Sequence, residues 1–378
     1  MVQDMIQVSL STIDFSLHRA RRTDVNSFFK NKGKSLVRVF LTIICTLCIL
    51  YILQRLLMPK YVDGIVEGAF TAEYYQEENK DFDVVFIGDC EVYENFSPVT
   101  LWRKYGINSY IRGNAEQYIW QSYYMLEDVL RYDVPKVVIF NVQSLQFDKS
   151  QSEAYNRMTL EGMEWSSSKV NAILASMKED ESFLEYVFPI LRYHTRWNEI
   201  TSDDFKYLFT DKKVTHNGYY MRVDVLPAEN VPKGRKLLDY SFGDNAWKYL
   251  DKMADLCEEN KIKLILIKAP SLYPYWYDEY DDQVKEYAKK HNLRYINFLE
   301  LTDEIGIDYT TDTYDAGLHM NLSGAEKLAE YIGGILSREY GVPDRRNEEE
   351  LSEIWNKKIN AYEAEKAEQY KYYGMTDK

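Results

Sequence analysis

Residues 83–89 read Asp-Val-Val-Phe-Ile-Gly-Asp and run directly into Cys90-Glu91. The apolar run is too short for a helix and shows no alternation. That pattern suits a strand buried on both faces, as in the interior of a parallel sheet, and Gly88-Asp89 marks a turn at its end. The same signature recurs along the chain. Residues 107–111 (INSYI) lead to Arg112-Gly113, and residues 136–142 (KVVIFNV) form a third run. Residues 262–268 (IKLILIK) end at Ala269-Pro270, and residues 294–298 (RYINF) form a fifth. Helical periodicity separates them over 115–131, 245–259 and 278–290. Strands that alternate with helices predict an α/β fold with a central parallel sheet covered on both sides.

Between the third and fourth strands lie roughly a hundred residues with little strand character. We expect a mostly helical insertion over about 148–243 that packs over one edge of the sheet, as a lid. The tail after 346 is rich in charge (EEELSEIWNKKINAYEAEKAEQYKYY) and is expected to be a helix, read first as a solvated appendage and otherwise as a peripheral amphipathic helix or a partner contact.

The N-terminal part obeys different physics. Val39 to Leu53 carry no charge, and with their apolar flanks they make a span of about 20 residues, enough to cross a bilayer core. No small-residue cleavage site follows it, which favours a retained anchor over a signal peptide. Residues 1–60 hold nine Lys/Arg and three Asp, a net +6, so the rest of the chain carries −20 of a total of −14. Six cations precede Arg38 closely, whereas Asp63 and Glu67 follow the span. The expected topology is therefore single-pass in the plasma membrane, with the N-terminus cytoplasmic and the main domain extracytoplasmic. The divisions expected are a basic cytoplasmic segment over 1–35, a transmembrane helix over 36–58, an α/β domain over 59–345 and a charged helix over 346–378. An acidic globular part argues against nucleic acid as a partner. No phosphate-binding loop occurs, and no C-x-x-C pair lies outside the span, so neither cofactor nor metal is expected.

Ligands of open parallel sheets bind beyond the carboxyl ends of the strands. Four sequence elements fall there: Gly88-Asp89-Cys90-Glu91, Arg112-Gly113-Asn114, Asn141 with Gln143, and a later run, Asp315-Ala316-Gly317-Leu318-His319-Met320-Asn321, that opens a helix. His194 and Arg196 in the insertion (RYHTRWNE) are ligand candidates, or else simply tie down a helix surface.

These blocks resemble the SGNH (GDSL) hydrolase superfamily, in particular its membrane-anchored branch of DltD-like and alginate-acetylation proteins. Gly88-Asp89-Cys90 stands where that family has Gly-Asp-Ser, Gly113 stands for its second block, Asn141 or Gln143 for its third, and Asp315 with His319 for its last. The resemblance implies a flavodoxin-like three-layer sandwich. It also implies an esterase or O-acyltransferase acting on a carbohydrate polymer of the cell envelope, working with a membrane-bound O-acyltransferase. Cys90 would be the nucleophile, His319 its base, and Asp315 (or Asp312) the orienting carboxylate. The Cys90 and Gly113 N–H groups and the Asn141 or Gln143 amide would form the oxyanion site, with Asp89, Glu91, Asn114 and Asn321 nearby. Two departures stand out. Cysteine replaces serine, and Asp315 lies four residues before His319, where the family has three. Both keep a second class of function open: a catalytically inactive module that binds glycan or scaffolds an assembly. A third reading makes Cys90 half of a disulfide with Cys257.

Overall fold

The computed structural model describes residues 34–58, 65–208 and 213–375, so the basic segment expected over 1–35 lies almost wholly outside the described residues. Five parallel strands form one sheet: β1 (Val84–Gly88), β2 (Ser109–Gly113), β3 (Val137–Asn141), β4 (Lys263–Lys268) and β5 (Arg294–Asn297). Their order is β2-β1-β3-β4-β5. This is the flavodoxin-like doubly wound order, in which the chain reverses direction across the sheet between β1 and β3. The second strand begins two residues later than expected, so Arg112 and Gly113 are inside β2, and Gly113 pairs with Gly88.

Alternate residues of each strand point to opposite faces. Val85, Ile87, Val138, Phe140, Leu264 and Leu266 meet the helices Ile119–Val129, Asp244–Glu259 and Asp278–Lys290. Val84, Phe86, Val137, Ile139, Ile265 and Ile267 meet the helices Pro98–Tyr105 and Leu322–Glu339. Helix, sheet and helix thus make three layers. Cys257 belongs to the first face and Cys90 packs against the second; both are free thiols, which removes the disulfide reading.

The C-terminal helix Glu349–Tyr373 is no solvated appendage. Its Leu351, Ile354, Trp355 and Tyr362 are buried. Trp355 stacks on Trp102 with ring centroids 5.0 Å apart, and its indole N–H donates to Asn108 Oδ1 at 3.0 Å. Many of its charges face solvent, while Lys358 and Glu363 pair with Glu77 and Arg103, so the amphipathic alternative replaces the solvated one.

The insertion runs along the β2 edge of the sheet and contributes residues to both faces. Its helices Glu153–Leu160 and Ser167–Ser176 extend the first face, where Leu160, Ala172 and Ile173 are buried. The chain then returns along the edge strand: the Asn217 carbonyl accepts from Ile111 N (2.9 Å) and the Asn217 amide donates to Ser109 O (3.0 Å). Tyr219, Met221 and Val223 then join the second face. Residues Pro189–Thr210 leave this arrangement. They group with the N-terminal part of the chain as a separate compact unit. That part contains a 24-residue helix, Lys34–Leu57, long and apolar enough to cross a membrane.

Candidate functional site

Gly88 closes β1 where the backbone of β3 comes near. A Cβ there would stand 2.5 Å from Val92 Cγ2 and 3.0 Å from Asn141 Cβ, so only glycine lets the chain turn tightly. Asp89 then caps the short helix Cys90–Tyr93, accepting from Glu91 N at 3.2 Å. The turn sets Cys90 at the carboxyl end of β1, beside the point where the sheet order reverses. Cys90 keeps some exposed area, yet its sulfur is densely surrounded. Tyr155 of the insertion is close enough to feel its charge.

His319 arrives from the other end of the sequence. The Asp315–His319 loop holds one more residue than the resemblance implies, and the backbone absorbs it in a left-handed turn at Ala316 (φ 64°) and Gly317 (φ 100°). Asp315 organises the loop: Oδ1 accepts from His319 N at 2.8 Å, and Oδ2 lies 2.6 Å from His319 Nδ1. The loop is fastened to the segment after Cys90, because Asn95 Oδ1 accepts from Met320 N at 2.8 Å. Nδ1 is thereby committed to Asp315. Nε2 is buried without a hydrogen-bond partner among the described residues, and the Cys90 thiol interacts with the same imidazole. Asp312 is engaged elsewhere, with Lys327 Nζ (2.6 Å) and the N–H of Asp308 (2.7 Å) on its carboxylate.

A second carboxylate faces the imidazole. Glu94 Oε2 lies 3.7 Å from His319 Nδ1 and also accepts from the Tyr314 hydroxyl. The Tyr314 ring lies over the imidazole with centroids 6.0 Å apart, and the Arg222 guanidinium sits 4.6 Å above Tyr314. Sequence gave no signal for Glu94, since its partners lie more than 200 residues away. Burial opposes the imidazolium, but the charges of Glu94 and Cys90 and the Asp315 hydrogen bond outweigh it, and His319 is raised well above its ordinary value. Burial pushes the Cys90 thiol up to about 11, against the downward pull of His319. Burial likewise raises Glu94, while the imidazolium charge opposes the rise.

Beneath Cys90 lies a buried polar network. Lys268 Nζ donates to Glu91 Oε1 and Oε2 at 3.0 and 2.8 Å, and both side chains are essentially inaccessible. The Asn141 amide donates to Asp89 Oδ1 and Glu91 Oε2, each at 3.0 Å, and its carbonyl accepts from Ala269 N. Asn141 therefore has no N–H left for an oxyanion and serves instead to hold the turn. Burial, then the charge of Glu91, raises Asp89 to about 7. Gln143 is buried with both amide atoms unpartnered among the described residues, so it is the candidate with free donors.

The remaining candidates separate. Asn114 donates to Thr71 Oγ1 and Gln117 Oε1. It lines a cavity of about 270 Å³ together with Phe70, Tyr93, Glu94, Tyr220 and Tyr314. Asn321 caps the helix Leu322–Glu339 and donates to the Thr311 and Asp224 carbonyls, a structural role. His194 and Arg196 belong to the other compact unit. There His194 bonds to the Leu191 carbonyl, and Arg196 bonds to Glu199 and the Leu57 carbonyl. Among the described residues no group of three His, Cys, Asp or Glu side chains is placed to hold a metal ion.

No family model matches the chain, and no curated protein matches it. Among solved structures it is similar to a GDSL-like lipase from Bacteroides thetaiotaomicron. The two are 14% identical, with 72% of this chain and 100% of that chain covered, and the TM-score is 0.33.

Proposed function

We propose that the protein transfers acyl groups with Cys90 as nucleophile, His319 as acid and base, and Asp315 as the carboxylate that orients the ring. The observation that carries this reading is that Asp315 holds Nδ1, Nε2 stays without a hydrogen-bond partner among the described residues, and the Cys90 thiol acts on the same imidazole. It is the arrangement nucleophilic catalysis requires.

The thiol proton passes to Nε2, and the thiolate attacks the ester carbonyl. The negative charge that forms on oxygen is met by the Cys90 N–H, and the Gly113 N–H and the Gln143 amide are the further donors proposed. Collapse breaks the carbon–oxygen bond, the departing alcohol takes the imidazolium proton, and a thioester remains on Cys90. Water or a sugar hydroxyl then gives its proton to His319 and attacks the thioester carbonyl; the carbon–sulfur bond breaks, and the departing Cys90 thiolate takes the proton back from the imidazolium. The product is a free acid in the first case and a new ester in the second.

An extracytoplasmic site, a cell-envelope polysaccharide as acceptor and a membrane-bound O-acyltransferase as partner belong to the same proposal. The apolar helix Lys34–Leu57 and the residue blocks shared with the membrane-anchored SGNH branch support them. The test is cleavage of a chromogenic acetyl ester by the full chain in detergent. Loss of activity in Cys90→Ala with native melting behaviour supports the assignment; undiminished turnover in that variant refutes it.

One observation favours a binding module instead. A thiol pushed up to about 11 is largely protonated and a weak nucleophile at neutral pH. In that case the aromatic cavity near Glu94 would hold a glycan, and Cys90→Ala would leave glycan binding intact.

A further inference from the structure

Two hydrogen bonds among the described residues tie Pro189–Thr210 to the apolar helix. Arg196 Nη1 donates to the Leu57 carbonyl at 2.7 Å, and Arg55 Nη2 donates to the Tyr207 carbonyl at 3.0 Å. The last carbonyls of a helix have no intrahelical partner, so Arg196 caps one of them. Whatever depth the end of the helix occupies, this segment shares it. The segment also turns large apolar side chains outward: Leu191 is 48%, Trp197 72% and Phe205 54% exposed. It carries Arg192, Arg196 and Lys206 against Glu199, Asp203 and Asp204, three charges of each sign and a net of zero.

We propose that Pro189–Thr210 is a membrane-surface anchor. Leu191, Trp197 and Phe205 lie among the lipid headgroups and the first carbons of the acyl chains, around the C-terminal end of the helix Lys34–Leu57. The inference rests on that helix crossing the bilayer. Its 24 residues extend about 36 Å at 1.5 Å per residue, more than a hydrocarbon core of about 30 Å, so its end reaches the interface. Tryptophan partitions to that level because its ring is apolar and its N–H polar, and exposed apolar groups there are removed from water. Several large apolar groups on one short segment are hard to keep in water without a covering surface. Lipid is the surface that the continuity with the helix supplies. With no net charge the segment is held by apolar insertion rather than by attraction to anionic lipid, so salt has little effect.

The test uses the full chain in nanodiscs of neutral phosphatidylcholine. Trp197 emission is taken as the difference between the wild type and Trp197→Phe. Lipids brominated high on the acyl chain should quench it about twofold or more, equally at low and high salt. Phe205→Trp in the Trp197→Phe background should be quenched likewise, which guards against a local effect of one substitution. In parallel, Cys45 and Cys48 are challenged with a water-soluble maleimide. Protected cysteines with unquenched Trp197 would overturn the anchor while leaving the spanning helix intact, and would point to a protein partner on this face. Ready labelling of both cysteines would overturn the spanning helix and the anchor together.

Discussion

Replacing Lys268 by methionine removes the ammonium paired with Glu91 while keeping a side chain of similar length. Glu91 is 1% exposed and Lys268 is fully buried, so neither charge can recruit bulk water. In the native protein the ammonium spends two contacts on Glu91, of 3.0 and 2.8 Å, and one on the Ala269 carbonyl at 2.8 Å. Lys268→Met leaves Glu91 with Asn141 as its hydrogen-bond donor and Asp89 sharing that amide. Breaking a buried pair from one side costs about 3–5 kcal/mol, because the surviving charge stays desolvated. For a domain of this size each kcal/mol moves the melting temperature by about 2–4 °C, so a fall on the order of 10 °C is expected at pH 7. Glu91→Gln combined with Lys268→Met should recover more than about half of the loss, since no unpaired charge remains. Thermal melts of the four proteins at pH 5 and pH 7 complete the cycle. A single variant within about 1 kcal/mol of wild type, or a double variant no better than the worse single, would refute the reasoning.

Further expectations follow from the same geometry. Asp315→Asn should lower ester turnover by about 10²–10⁴-fold, since the imidazole loses its orienting charge, while Asp312→Asn should keep most activity; equal losses would contradict the assignment. Glu94→Gln removes a carboxylate facing Nδ1 and should lower the His319 pKa, which reduces Cys90 alkylation at neutral pH. An unchanged pH profile of alkylation would show that Glu94 only packs. Burial raises Asp89, Glu73 and Glu161 each to about 7, so the folded state keeps protons that the unfolded chain releases from about pH 4 upward. Their contribution to stability is full below that range and is lost as the pH rises through 7. His319, also raised, adds to the same trend, so melting temperature should fall between pH 5 and 8, and a flat profile would count against it. Trp355→Ala should cost about 3–5 kcal/mol by emptying the stack on Trp102, as seen in denaturant unfolding.

β1, β3 and β4 were legible because each holds a continuous apolar run, and burial on both faces leaves little room for anything else. The end of β2 was misplaced because Arg112 looks like a loop residue. It lies inside the strand, paired with Asp128 at 3.1 Å, a partner that spacing does not reveal. The C-terminal helix was misjudged for a related reason: its many charges hid an apolar stripe at Leu351, Ile354, Trp355 and Tyr362. At the site, the block pattern located Cys90, Asp315 and His319, yet it could not show which Asp reaches the ring. That depended on the left-handed backbone at Ala316 and Gly317. Glu94, Tyr314 and Lys268 were invisible to it, since each acts through contacts across more than 150 residues. Asn141 was placed correctly at the end of β3, but its amide is taken up by Asp89 and Glu91.

The most direct test of a Cys90 nucleophile is intact-mass analysis of the full chain mixed briefly with p-nitrophenyl acetate and quenched in acid. A single acetyl adduct mapped to Cys90, labile to hydroxylamine and lost in His319→Ala, is the predicted result. No adduct on Cys90, or one that forms equally without His319, would contradict it.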